Sequence, residues 1–191
     1  MKPLQRYRHL RKVRVSPDTP VQSHRIGMVV PSSNTTMETE LPELLHRVVG
    51  ERHRFTFHAS RMRMKKVSLE ELGQMNAQAD RCTEELSDAD VDVAAYACLV
   101  AVMSEGPDFA VEIGEKLTQI LKSGHPSAEM ITSAGALIQG VQRLGVRKVA
   151  LVTPYMRPLT DLVVECLEEA GIEDVATISL EITDHPAVGR R

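Results

Sequence analysis

The feature that most restricts the fold is an uninterrupted apolar run, "VAAYACLVAVM" (residues 93–103), closed by Ser104, Glu105 and Gly106. A half-solvated strand alternates apolar and polar residues. A run that is apolar at every position must be covered on both faces, as in a parallel sheet flanked by helices. Residues 93–100 are therefore expected to form a buried strand, with Cys98 close to its tip.

The flanking sequence fits such a sheet. "RIGMVVPSSN" predicts a strand over 26–30, closed by Pro31 and a small polar loop. Pro42 suits the first turn of a helix that stops at Gly50. Phe55, Phe57 and Ala59 alternate as a strand does. Ser68, with Glu71 three residues on, reads as a capping box. Leu69, Leu72, Met75, Ala79, Cys82 and Leu86 then form one apolar face of a single helix. Further helices open at Pro107, run through "AGALIQGVQRLG", and open again at Pro158. "AEMITS", "KVALVT" and "DVATISLEI" read as strands. The alternation of strand and helix predicts an α/β fold, a parallel sheet with helices on both faces.

The expected division is a disordered basic extension over 1–24, a first α/β half over 25–125 and a second over 126–191. "RIGMVVP" and "KVALVTP" match class for class at an offset of 123 residues (154 − 31). Either two α/β strands resemble each other by chance, or two equivalent half-molecules are related by a pseudo-twofold.

Net charge is -3 and aromatics are 3% of 191 residues, with no Trp, so neither a basic footprint nor stacking platforms for nucleic acid are present. No apolar run approaches a membrane span of roughly 20 residues. Three cysteines without paired spacing point to a reducing, cytoplasmic setting rather than a disulfide framework. The seven histidines show no metal-ligand spacing, and no glycine-rich phosphate or dinucleotide motif occurs. A site free of metal and cofactor is expected.

Parallel sheets place ligands at the carboxyl ends of their strands. The loops there hold Ser32, Ser33, Asn34, Thr35, Cys98, Ser104, Ser133, Thr153 and Tyr155, uncharged hydrogen-bonding groups suited to a small carboxylate or phosphate. Cys82 and Cys166 fall on helices and read as packing. Cys98 has two readings that periodicity does not separate: a buried structural thiol, or a nucleophile whose thiolate is stabilised by backbone N–H groups.

"RIGMVVPSSNTTMETELP", "RMRMKKVS", "QMNAQADRC", "YACLVAVM", "SAGALIQG", "VALVTPYMRPL" and "EITDHPAVGR", in that order, strongly resemble the maleate cis-trans isomerases. These belong to the aspartate/glutamate racemase superfamily, which also holds the arylmalonate decarboxylases. The resemblance spans about residues 25–190. It implies two flavodoxin-like parallel-sheet halves about a pseudo-twofold, with the site between them. It makes Cys98 the nucleophile and Asn34 and Tyr155 substrate-binding residues. Leu99 and Val100 would offer backbone N–H groups to a carboxylate. The implied reaction is isomerisation of maleate to fumarate through a succinyl-cysteine adduct, without cofactor. The family is usually dimeric, so a homodimer with a small dicarboxylate substrate, and neither nucleic acid nor membrane, is expected.

Two departures accompany the resemblance. The family carries asparagine in the motif before "VG", where His185 stands here. It also uses a second, opposed cysteine, which the repeat offset would put near position 221 (98 + 123), beyond Arg191. The second half is therefore expected to be incomplete, and isomerase activity of this chain alone to be low. An amino-acid racemase, an arylmalonate-type decarboxylase and a non-catalytic dicarboxylate-binding module are the alternatives.

Overall fold

The computed structural model describes residues 21–49 and 52–182. Most of the expected N-terminal extension, and His185, lie outside the described residues.

The first sheet is all parallel. It contains β1 (Gln22–Pro31), β2 (His53–Met62), β3 (Val93–Tyr96) and β4 (Glu129–Thr132), in the order β2-β1-β3-β4. β1 is central, and its residues from Ile26 to Pro31 are buried because strands pair with it on both sides and helices cover it. It starts at Gln22, before the expected Arg25, because Gln22, Ser23 and His24 pair with His53, Arg54 and Phe55. Gly27 permits close packing here: a Cβ would lie 3.0 Å from the Ala94 Cβ and 3.2 Å from Leu86 Cδ1 and Val91 Cγ2.

Several expected elements differ. Pro42 sits inside α1 (Met37–Val49) rather than opening it. The helix after Ser68 is two helices, α2 (Leu69–Asn76) and α3 (Ala79–Asp88). Ser68 does cap α2, accepting from the Glu71 N–H, but the Glu71 carboxylate turns to the N–H groups of Lys65 and Lys66 at 2.7 and 2.8 Å. The alternation of Phe55, Phe57 and Ala59 does not mark the most buried positions of β2, which are Ser60 and Met62 on the opposite face.

The apolar run of residues 93–103 is not one strand. β3 ends at Tyr96, and Leu99–Met103 form a short helix, α4, whose Val100, Ala101, Val102 and Met103 are buried. Apolar continuity cannot distinguish a buried strand from a buried helix. After α5 (Phe109–Leu121), β4 pairs with β3, so the first half extends past residue 125 to Thr132. α6 (Ser133–Arg143) follows, capped by Thr132 Oγ1, which accepts from the Gly135 N–H at 3.1 Å.

The second sheet is a parallel pair, β5 (Lys148–Thr153) and β6 (Glu173–Ser179), joined by α7 (Arg157–Glu169). This βαβ unit repeats the β1–α1–β2 order, and the two echoing segments open the two units. Leu159, Val163, Cys166 and Leu167 of α7 join one core with Val100–Met103 of α4. The outer face of the pair leaves Val152 65%, Val175 56%, Ile178 57% and Leu180 54% exposed. With two strands against four, the second half is the smaller one among the described residues. No helix among the described residues is long and apolar enough to cross a membrane.

Candidate active site

In a 2-1-3-4 sheet the chain leaves β1 towards one edge and returns to the other side at β3. The crevice beyond the carboxyl ends of these two strands is where such folds bind ligands. The segments following β1 and β3 meet there, and the loop after β5 closes the crevice from the second sheet.

The β1 side is tied down by its own polar groups. The Asn34 N–H donates to the Pro31 carbonyl at 2.9 Å, and Asn34 Oδ1 accepts from the Met37 N–H at 3.1 Å, at the start of α1. Arg61 Nη1 donates to the carbonyls of Ser32 and Asn34, both at 3.0 Å, and its other nitrogen pairs with Glu38. Ser32 Oγ exchanges hydrogen bonds with the backbone of Met64 at 3.1 and 3.2 Å. Met64 is thereby fixed as a wall of the crevice.

On the β3 side, the Ala97 N–H makes the last bond to β1, at the Val29 carbonyl (2.9 Å). Cys98 follows in an extended conformation (φ -148°, ψ 95°), immediately before α4. Leu99 and Val100 occupy the first turn of α4, where N–H groups have no intrahelical acceptor. Burial pushes the Cys98 thiol up to about 11, and a hydrogen bond from the Ala101 backbone opposes this. Burial outweighs the N–H groups here, so the thiol is not held as a thiolate by them alone.

From the second sheet come Pro154 and Tyr155. The chain beyond β6 pins them: Leu180, Glu181 and Ile182 donate backbone N–H groups to the carbonyls of Thr153, Tyr155 and Pro154 at 2.8, 3.3 and 2.9 Å. Tyr155 is pushed up to about 12 by burial and then by charge on Cys98.

These segments enclose a cavity of about 170 Å³ lined by Cys98, Asn34, Tyr155, Leu99 and Val100. Five of the six expected site residues thus come together, and His185 lies outside the described residues. Three larger grooves among the described residues, of about 580, 500 and 330 Å³, contain no cysteine or tyrosine, so chemistry rather than size singles out the smaller one. Of the other strand-end candidates, Ser33 Oγ and Ser133 Oγ are buried without a hydrogen-bond partner among the described residues, whereas Thr153 and Ser104 are engaged elsewhere. Thr153 Oγ1 bonds Thr160 Oγ1 at 2.6 Å, and Ser104 Oγ donates to the Ala101 carbonyl at 3.2 Å. The apolar walls Met64, Val67 and Ile182 were not among the expected residues; the alternation in "RMRMKKVS" is the one signal that placed Met62 and Met64 inward.

Comparison with known proteins agrees with this geometry. The arylmalonate decarboxylase family model matches residues 26–190. A maleate isomerase of Geobacillus stearothermophilus is 52% identical over 169 residues, covering 87% of this chain and 67% of that protein. A crystal structure of a Pseudomonas putida S16 maleate isomerase variant with maleate superposes with a TM-score of 0.84 at 52% identity, over 87% of this chain and 67% of that one. A Nocardia farcinica maleate cis-trans isomerase mutant with a covalently bound succinylcysteine intermediate gives 0.82 at 48% identity, with the same coverage. The chain thus spans about two thirds of the length of these relatives. A 2-1-3-4 sheet, a cysteine at its switch point and this degree of identity lead to one conclusion: the chain belongs to the arylmalonate decarboxylase family, on its maleate isomerase branch.

Proposed function

We propose that the chain isomerises maleate to fumarate without a cofactor, with Cys98 as the nucleophile. The observation that carries this reading is the convergence of Cys98, Asn34 and Tyr155 on one small cavity between the two sheets. After the Cys98 proton leaves, the sulfur bonds to one alkene carbon. The π electron pair moves onto the neighbouring carbon and its carboxylate. The carbon–carbon bond is now single and rotates. Return of the pair expels the sulfur and re-forms the double bond in the trans geometry, so no external oxidant, reductant or group donor is needed.

Negative charge accumulates on the carboxylate next to the carbanion, and donors aimed there lower the barrier. The N–H groups of Leu99 and Val100 and the Tyr155 O–H fill that role. Asn34 adds its side-chain NH₂, because its Oδ1 is occupied by Met37. His185 is assigned to substrate binding from its place in the sequence motif. Among the described residues, Tyr155 is the only other titratable residue lining the cavity, and it is protonated at neutral pH. The acceptor for the Cys98 proton is assigned to the opposed thiol that the resemblance implies. A homodimer in the cytoplasm completes the reading, supported by three free cysteines and by the exposed apolar face of β5 and β6.

The test is incubation with maleate followed by intact-mass and peptide-mapping spectrometry. One succinyl adduct on the Cys98 peptide is expected, absent after Cys98→Ala. An adduct that survives this substitution would place the nucleophile elsewhere.

A further inference from the structure

The segment "QMNAQADRC" belongs to the resemblance, yet none of its residues lines the cavity. Its Asn76, the last residue of α2, reaches across to the other side of Cys98. Asn76 Oδ1 accepts from Tyr96 Oη at 2.5 Å. Asn76 Nδ2 donates to the Ala101 carbonyl at 2.9 Å and to Glu105 Oε1 at 3.1 Å. Tyr96 ends β3, two residues before Cys98, and its side chain is wholly buried. Ala101 lies in the first turn of α4, three residues after Cys98. One amide therefore grips the chain on both sides of the thiol.

We propose that Asn76 is a positioning residue for Cys98, holding the turn between β3 and α4 so that the first N–H groups of α4 face the sulfur and the cavity. The physical need is specific. α4 has five residues and cannot set its own start by helix propensity, so something outside it must hold its first turn. The strand end is fixed by the sheet, whereas the turn at Cys98 has no side-chain cap of its own. Asn76 uses both ends of its amide, accepting from the strand and donating to the helix. Its second amide hydrogen is taken by Glu105, which keeps the amide from flipping. Ala101, whose carbonyl Asn76 holds, is also the residue whose backbone N–H opposes the raised pKa of Cys98. The titratable groups around the thiol are few: Tyr155 across the cavity, Tyr96 and Glu105 behind it.

The inference rests on Cys98 as the nucleophile, but its test does not need maleate. Cys98 alkylation by iodoacetamide is followed from pH 7 to 11.5 by peptide mass spectrometry, with thermal unfolding recorded beside it. Asn76→Asp keeps the acceptor for Tyr96 and removes the donor to Ala101, but its added negative charge by itself raises the midpoint, so the neutral Asn76→Ala decides. Asn76→Ala removes both, and Tyr96→Phe removes only the strand contact. Both Asn76 variants are expected to move the midpoint of the profile upward by half a pH unit or more and to slow alkylation at pH 8 at least threefold. Tyr96→Phe should lower the melting temperature but shift the midpoint by less. A profile for Asn76→Ala superimposable on that of the unaltered chain, or a shift by Tyr96→Phe as large as that of Asn76→Ala, overturns the inference. Should Asn76→Ala not fold, Glu105→Ala carries the test. Removing that negative charge would by itself lower the midpoint, so an upward shift supports positioning by Asn76 and a downward or absent shift overturns it. Failure of Cys98 to form a maleate adduct, with the profile still shifting, would sink the isomerase reading and leave this one standing.

Discussion

Cys98 leaves the end of the first sheet and Tyr155 leaves the end of the second, and both line one cavity. Burial pushes Tyr155 up to about 12, and a negative sulfur adds to the effect. The phenol therefore keeps its proton, and can donate a hydrogen bond, throughout the neutral range. Tyr155→Phe should slow formation of the maleate adduct on the order of 10–100-fold. Alkylation of Cys98 by neutral iodoacetamide should change by less than about threefold, since no charge is then stabilised. An equal loss with both reagents would mean that Tyr155 only shapes the cavity.

The raised pKa of Cys98 sets a pH dependence. The thiolate is the reactive form, so below the pKa its population grows about tenfold per pH unit. Alkylation of Cys98 should follow that slope and level off near pH 11. A plateau already reached at pH 8 would show that the helix N–H groups outweigh burial.

The proposed function gives Asn34 two separable duties. Its Oδ1 holds the Met37 N–H at the start of α1, and its NH₂ group is the one proposed to meet substrate. Asn34→Asp keeps the acceptor and adds a negative charge at a helix N-terminus, which is favourable. It should leave the melting temperature within a degree or two while cutting adduct formation at least tenfold, through lost donation and repulsion of a dianion. Asn34→Ala should lose about 1 kcal/mol of stability as well. Denaturant unfolding beside adduct kinetics separates the two duties.

Cys166 makes an alkaline prediction. It is buried on α7, its Sγ donating to the Met103 carbonyl at 3.5 Å, and burial pushes it up from 9.0 to about 11. Below pH 9 both folded and unfolded chains keep the proton, so stability is unaffected. Between pH 9 and 11 the unfolded chain ionises first, and stability falls as pH rises, on the order of 2 kcal/mol from this group. Cys166→Ala should flatten the slope of unfolding free energy over that window, whatever it does to stability at pH 7. An unchanged slope would show that the thiol already reaches water.

The alternating elements and the two echoing strands were legible because each rests on local pattern, apolar periodicity with Pro and Gly stops. The rule that ligands gather at strand ends picked out the loops of Asn34, Cys98 and Tyr155, and the family resemblance, not the pattern, chose Cys98 among them. What was not legible depends on partners remote in sequence. β4 belongs to the first sheet because β3 is its neighbour, which "AEMITS" alone does not reveal. The break between α2 and α3 accompanies Gln78 binding the backbone of Arg63, where Arg63 N–H donates to Gln78 Oε1 at 2.9 Å. The tight start of α4 after Cys98 was hidden because buried strand and buried helix share one apolar alphabet. Asn76 falls inside the single helix expected after Ser68, where nothing in the local pattern singles it out.

The two walls of the cavity are not equally firm. Cys98 and Asn34 hang from a four-stranded sheet with β1 at its centre, whereas Tyr155 and Ile182 hang from a two-stranded unit whose outer face meets solvent. The amides of β5 and β6 should therefore exchange with deuterium sooner than those of β1 and β3, through a partial opening that unseats α7 from α4. A dicarboxylate touching both walls would resist that opening. Substrate would thus act as a rivet between a rigid half and a loosely held one, and occupancy could be read from exchange in β5 and β6, on the far side of the reacting sulfur.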